Sequence, residues 1–193
     1  MIPCYVSGKG MYASEVTWSF KTTILEILDK SQLGYDTRFQ YYRKQYPDML
    51  TEQLARMICD PVEYYDKDWE QYRATHQRSM SKAEMITRFM LERDNEFRSN
   101  AQVAIYCFDE AGFGSGVNVM RFLYERKPIL GFLNQNTQHK SLNISNVLQL
   151  KAQFPDLIHL IDNYSLDSIS DHITRWLNEY SRHQHKRMHL VTE

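Results

Sequence analysis

Apolar residues in this chain recur with two different periods, and the way those periods alternate predicts its architecture. Residues 2–7 read as a short strand that ends in Ser7-Gly8-Lys9-Gly10. Ser14 is placed to cap a helix whose apolar positions Val16, Phe20, Ile24 and Leu28 fall four residues apart, with Ile27 beside them. A capping box, Ser81-Lys82-Ala83-Glu84, opens a second helix marked by Ile86, Phe89, Met90 and Phe97. Val103 to Phe108 is an unbroken apolar run, as a strand covered on both faces of a parallel sheet requires. A helix with Val117, Met120 and Tyr124 on one side then closes at Lys127-Pro128. Ile129 to Leu133 makes the next strand, residues near 143–153 a helix, and Leu157 to Ile161 the last strand. Ile169, Ile173, Trp176, Leu177 and Tyr180 define the last helix, and His183-Gln184-His185-Lys186-Arg187 reads as a solvated tail.

Strand alternating with helix predicts an α/β fold: a flavodoxin- or Rossmann-like, mostly parallel sheet with helices on both faces and 103–108 at its centre. Residues 35–80 break the pattern. Leu50, Leu54, Met57 and Ile58 mark one short helix before Pro61, but no strand is expected there. Tyrosines, charges and no clear period make this stretch an insertion or lid, covering a cleft or meeting another subunit, on an otherwise single domain spanning 1–193.

Composition narrows the class. Lys plus Arg number 23 and Asp plus Glu 24, giving a formal charge of −1. General nucleic-acid binders carry a basic surplus, so that class is excluded, whereas a small anionic ligand needs only a local site. Cys4, Cys59 and Cys107 are odd in number and far apart, which argues against a disulfide framework or a zinc site and for a reducing, cytoplasmic setting. No run approaches the roughly 18 apolar residues of a membrane span, and the start of the chain lacks the basic and apolar regions of a signal peptide.

In an open parallel sheet, ligands bind beyond the carboxyl ends of the strands. The segment Asp109-Glu110-Ala111-Gly112-Phe113-Gly114-Ser115-Gly116 falls there, read as a loop whose glycines allow positive φ and close backbone approach. A helix starting near Gly116 directs its N-terminal dipole into the same cleft and favours an anion. Asp109 and Glu110 have two readings: one as general base for a water, or Asp109 as a loop cap and Glu110 as a solvated side chain.

The run Tyr106-Cys107-Phe108-Asp109-Glu110-Ala111-Gly112-Phe113-Gly114-Ser115-Gly116-Val117-Asn118, followed by Arg126-Lys127-Pro128-Ile129-Leu130, resembles the nucleoside 2-deoxyribosyltransferase family. There a strand, an acidic loop, a GxG turn and a helix carrying a catalytic Glu lead to "GKP" and the next strand. The resemblance covers the start of the chain and about residues 85–165. It implies a substrate-side Tyr at Tyr5, a base-binding Asp at Asp94 and a substrate-contacting Asn at Asn143, with Gly8, Gly112, Gly114 and Gly116 lining the site. It implies a nucleoside or nucleotide partner, no cofactor, no metal, and a homo-oligomer in which a neighbouring subunit completes the site.

Two positions depart from the family. Asn118 stands where the nucleophilic Glu belongs, and Gly112 where an acid is usual. A carboxylate stabilises oxocarbenium character and forms the covalent glycosyl intermediate; a carboxamide does neither well. Three functions follow: chemistry at an N-glycosidic bond, a non-catalytic nucleotide-binding sensor or interaction module, or a TIR-like NAD-cleaving domain, which would also need a carboxylate in the cleft.

Overall fold

The computed structural model describes residues 1–9, 13–59, 71–75, 81–134 and 144–191. The first half comprises β1 (Ile2–Ser7), α1 (Glu15–Ser31), β2 (Gly34–Asp36), α2 (Thr37–Gln45), α3 (Thr51–Cys59) and α4 (Lys82–Asn100). The second half comprises β3 (Val103–Cys107), α5 (Phe113–Tyr124), β4 (Ile129–Leu133), α6 (Ile144–Gln153), β5 (Ile158–Asp162) and α7 (Leu166–Val191). All strand pairs are parallel, and the five-stranded sheet has the order β2-β1-β3-β4-β5. That is the flavodoxin-like order, with β3 central.

The register sorts the core into two layers. Cys4, Val6, Ile105, Cys107, Leu130 and Phe132 share one face, since Val6 pairs with Ile105 and Ile105 with Leu130. Phe20 of α1 meets Phe132 edge-on at 5.3 Å, and His172 of α7 lies 6.3 Å from the same ring, so α1 and α7 cover this side. Phe20, Ile24 and Leu28 are buried there at their four-residue spacing, each contributing about 1.5–3 kcal/mol by leaving water. Tyr5, Ala104 and Tyr106 occupy the opposite face, where Phe122 of α5 approaches Tyr5 at 5.7 Å. Gly131 sits on that face because the Phe108 ring fills its place: a Cβ there would lie 2.3 Å from Cε2 of Phe108.

Helix ends follow their expected chemistry at Ser14 and Ser81, whose hydroxyls accept from the N–H groups of Thr17 and Glu84. The expectation of no strand in 35–80 is corrected. Gly34–Asp36 pairs with Ile2–Cys4, and it is too short to display a period. Asp36 then caps α2 by accepting from the N–H groups of Arg38 and Phe39, while its other oxygen accepts from the Val6 N–H at 2.7 Å. Tyr42 is fully buried and packs with Tyr41 and Phe97. The stretch read as a solvated tail is helical, since α7 runs through it to Val191, and His183 within it is exposed. Residues 60–70 and 76–80, the rest of the tyrosine-rich stretch, lie outside the described residues.

Candidate functional site

The chain leaves β1 for β2 on one side and returns to β3 on the other, so the sheet order switches direction between β1 and β3. The loops after two such strands diverge and leave a crevice at their carboxyl ends. Gly8 passes close to the neighbouring strand: a Cβ there would stand 3.1 Å from Cβ and 3.2 Å from the carbonyl oxygen of Cys107. The hydroxyl of Ser115, in the first turn of α5, donates to the Gly8 carbonyl at 2.8 Å. Gly8 thus permits a close approach to Cys107, and its carbonyl fastens α5 to the end of β1.

Both acids after β3 are engaged in structural bonds. Asp109 accepts from the Asn134 N–H at 2.6 Å and from the Tyr164 hydroxyl at 2.8 Å, tying the ends of β3, β4 and β5 together. Glu110 accepts from the Ser14 N–H at 3.0 Å and the Thr17 hydroxyl at 2.7 Å, at the N-terminus of α1. The reading of Glu110 as a solvated side chain is therefore corrected. Partial burial alone would raise its carboxyl, but the bonds from Ser14 and Thr17 hold it below its ordinary 4.5.

A different cluster occupies the Tyr5 side of the sheet. Arg98, in the last turn of α4 and 4% exposed, donates from Nη1 to Oδ1 of Asn118 at 2.7 Å and from Nη2 to Asn95. Asp94 lies one turn before Arg98 with 3.9 Å between charged atoms. The Arg38 guanidinium lies 4.4 Å above the Tyr5 ring, donates to the Val6 carbonyl, and pairs with Asp36 at 3.4 Å. Burial first, then the Asp94 carboxylate, push the Tyr5 hydroxyl up to about 12 against the opposing pull of Arg38 and Arg98. Tyr5 is therefore a neutral phenol at physiological pH. Tyr106, on the same face, has a buried hydroxyl without a hydrogen-bond partner among the described residues.

This geometry fixes what Asn118 presents. Guanidinium groups only donate, so the carboxamide must turn its oxygen to Arg98 and offer its Nδ2 hydrogens elsewhere. Tyr5, Asp94 and Asn118, far apart in sequence, meet around Arg98. Asp109 and Glu110 belong to a separate set of contacts facing α1 and β5. Asn143 lies outside the described residues.

The glycine segment differs from its expected form. α5 begins at Phe113 with Gly112 as N-cap, so Gly114 and Gly116 are helical rather than part of a loop. No described glycine has positive φ; Gly112 has φ −98° and ψ −174°. A Cβ at Gly112, Gly114 or Gly116 would meet nothing within 4 Å, so nothing described within the chain requires glycine there. Six residues separate Gly112 from Asn118, and a helix of 3.6 residues per turn directs them to different sides. Gly112 opens onto a groove shared with α6, whereas Asn118 faces α4.

Sequence reasoning missed Arg38, Arg98 and Tyr164. Asp36-Thr37-Arg38 carries a capping signal that could have exposed the end of β2, and Asp94 to Arg98 has the four-residue spacing of a helical ion pair. Tyr164 carries no local signal. Among the described residues, no group of three or more His, Cys, Asp or Glu side chains is placed to hold a metal ion. No described helix is long and apolar enough to cross a membrane. No protein-family model and no curated protein matches this chain.

Proposed function

We propose that this chain binds a nucleoside or nucleotide beside Tyr5, Asp94 and Asn118, and that it does not transfer the glycosyl group. The orientation of Asn118 carries the reading. Arg98 holds the amide oxygen, leaving two N–H donors for acceptor oxygens of a sugar or phosphate. The same position in the nucleoside 2-deoxyribosyltransferase pattern holds a nucleophilic carboxylate, so the resemblance supports the ligand class and the substitution removes the covalent step. Asp94 would accept from the ring edge of a base, and Tyr5, buried beneath Arg38 and against Phe122, would support the site from the sheet as a neutral phenol. Direct hydrolysis has less support, because Asp109 and Glu110 already accept bonds from Asn134, Tyr164, Ser14 and Thr17.

The test is to incubate the protein with a panel of nucleosides, deoxynucleotides and NAD. Binding is followed by calorimetry and free base by chromatography. Saturable binding of at least one nucleoside-containing compound without base release is expected. Rapid base release that is abolished by Asp109→Asn or Glu110→Gln would favour hydrolysis. No binding by any compound would leave the fold alone.

A further inference from the structure

Two positive charges converge on one neutral atom where α4 meets α5. Arg98, in the last turn of α4, donates from Nη2 to the amide oxygen of Asn95 on the same helix. Arg121 of α5 donates from Nη1 to that same oxygen at 2.6 Å. The two guanidiniums repel each other, and a carboxamide oxygen sets only a partial charge against that repulsion. A carboxylate at position 95 would hold both cations and neutralise one of them. The neighbouring acids are engaged elsewhere: Glu96 with Arg93 at 3.5 Å and Glu125 with Lys127 at 2.7 Å. Asp94 approaches Arg98 at 3.9 Å, and Arg121 pairs with no carboxylate among the described residues. The seam therefore keeps an excess of positive charge. It is reachable from solvent, since Asn95 is exposed and Asn118 and Arg121 are half-buried.

Arg98 also sorts the seam into two ends. Its Nη1 faces Asp94 and Asn118, and its Nη2 faces the oxygen shared with Arg121. Asn118 and Arg121 are three residues apart on α5, so they are neighbours on one helix face.

We propose that the Arg121 end holds the phosphate of a nucleoside monophosphate, an assignment that rests on nucleoside binding at Asp94 and Asn118 and fixes the chemical class of that ligand. With base and sugar at Asp94 and Asn118, the phosphate falls about one helical turn further along α5, beside Arg121. A guanidinium presents its N–H donors as a planar fork, and Arg121 gives only one side of it to Asn95. The rest of the fork matches two phosphate oxygens side by side. A phosphate monoester carries about two negative charges at neutral pH, so it suits a pair of guanidiniums better than a carboxylate does. Arg98, almost fully buried, contributes its charge from behind.

Calorimetry on the full chain tests this by comparing each nucleoside of a panel with its own 5′- and 3′-monophosphates and with inorganic phosphate. At least one monophosphate should bind about 10- to 100-fold more tightly than its nucleoside, the range of hydrogen bonds to a charged group. Arg121→Gln should bring that ratio close to one. Arg121→Lys, which keeps the charge without the fork, should restore part of it. Arg121 is half-buried on a helix surface, so both variants should keep the circular dichroism of the parent. If nucleosides bind and their monophosphates bind no more tightly, the phosphate assignment fails while the nucleoside site stands. If neither binds, both fail. A ratio unmoved by Arg121→Gln would put the phosphate elsewhere and overturn the assignment. Inorganic phosphate binding as tightly as every monophosphate would mark the seam as a site for free phosphate, with the same consequence.

Discussion

Asn118 faces a guanidinium that can only donate, and this contact leads to two different expectations for two carboxylates placed there. Asn118→Asp keeps an acceptor for Arg98 and gains a charge, so thermal stability should not fall. It loses the Nδ2 donor, and nucleoside binding should weaken about fivefold, the scale of one hydrogen bond of roughly 1 kcal/mol. Calorimetry on parent and variant checks this, and unchanged affinity would mean that Asn118 does not touch the ligand. Asn118→Glu reaches further and supplies a nucleophile. Base release should become detectable where the parent shows none, at a rate well short of a complete covalent catalyst. Chromatography reads that gain directly. Adding Gly112→Asp should bring little more, because Gly112 opens toward α6 rather than toward Asn118.

At the scale of elements, two termini carry predictions. α5 ends with the Arg126 N–H donating to the Leu123 carbonyl and the Lys127 N–H to Phe122, the two bonds of a Schellman motif. The motif needs a left-handed residue, and Arg126 takes it at φ 55°, where a Cβ costs about 1–2 kcal/mol. Arg126→Gly should relieve that strain and, after the entropy glycine adds to the unfolded chain, stabilise the protein by about 0.5–1 kcal/mol. Urea denaturation measures the difference, and a loss of stability would show that the Arg126 side chain does more than cap. The second terminus is that of α1, where Glu110 faces the helix dipole. Its carboxyl is held below the ordinary 4.5, so the folded chain binds that proton less readily than the unfolded chain. The stabilisation is complete above pH 4.5 and is lost as pH falls through the lower folded value. Glu110→Gln should therefore cost about 0.3–1 kcal/mol at neutral pH, and the gap between variant and parent should close under acid. A constant gap from pH 7 to 3 would assign the loss to packing instead.

For the whole molecule, a ligand at the proposed site would meet groups from α2, α4 and α5 that come together only in the folded chain. It must therefore stabilise folding by mass action. At a hundredfold excess over its dissociation constant it adds about 2.7 kcal/mol. In a chain of this size that should raise the melting temperature by about 5–11 °C in a thermal scan. A nucleoside-containing compound that binds by calorimetry without such a shift would be binding unfolded chain as well, and not at the proposed site.

Periodicity alone determined β1, β3, β4 and β5 to within a residue or so, and with them the α/β class, because β3 and β4 bury every side chain and β1 and β5 carry short apolar runs between clear breaks. It determined the helices at Ser14 and Ser81 because a cap and an apolar stripe are local signals. The resemblance picked out Tyr5, Asp94 and Asn118, though not what each presents to a ligand. Only the tertiary structure decided the rest. β2 is three residues long and exists by pairing with β1, so no period announces it. The roles of Asp109 and Glu110 depend on partners 25 to 96 residues away, which no local pattern encodes. That Asn118 is no nucleophile was legible from its carboxamide, but which end of that amide faces Arg98 was not, because the contact arises only when α4 and α5 pack on the same face of the sheet.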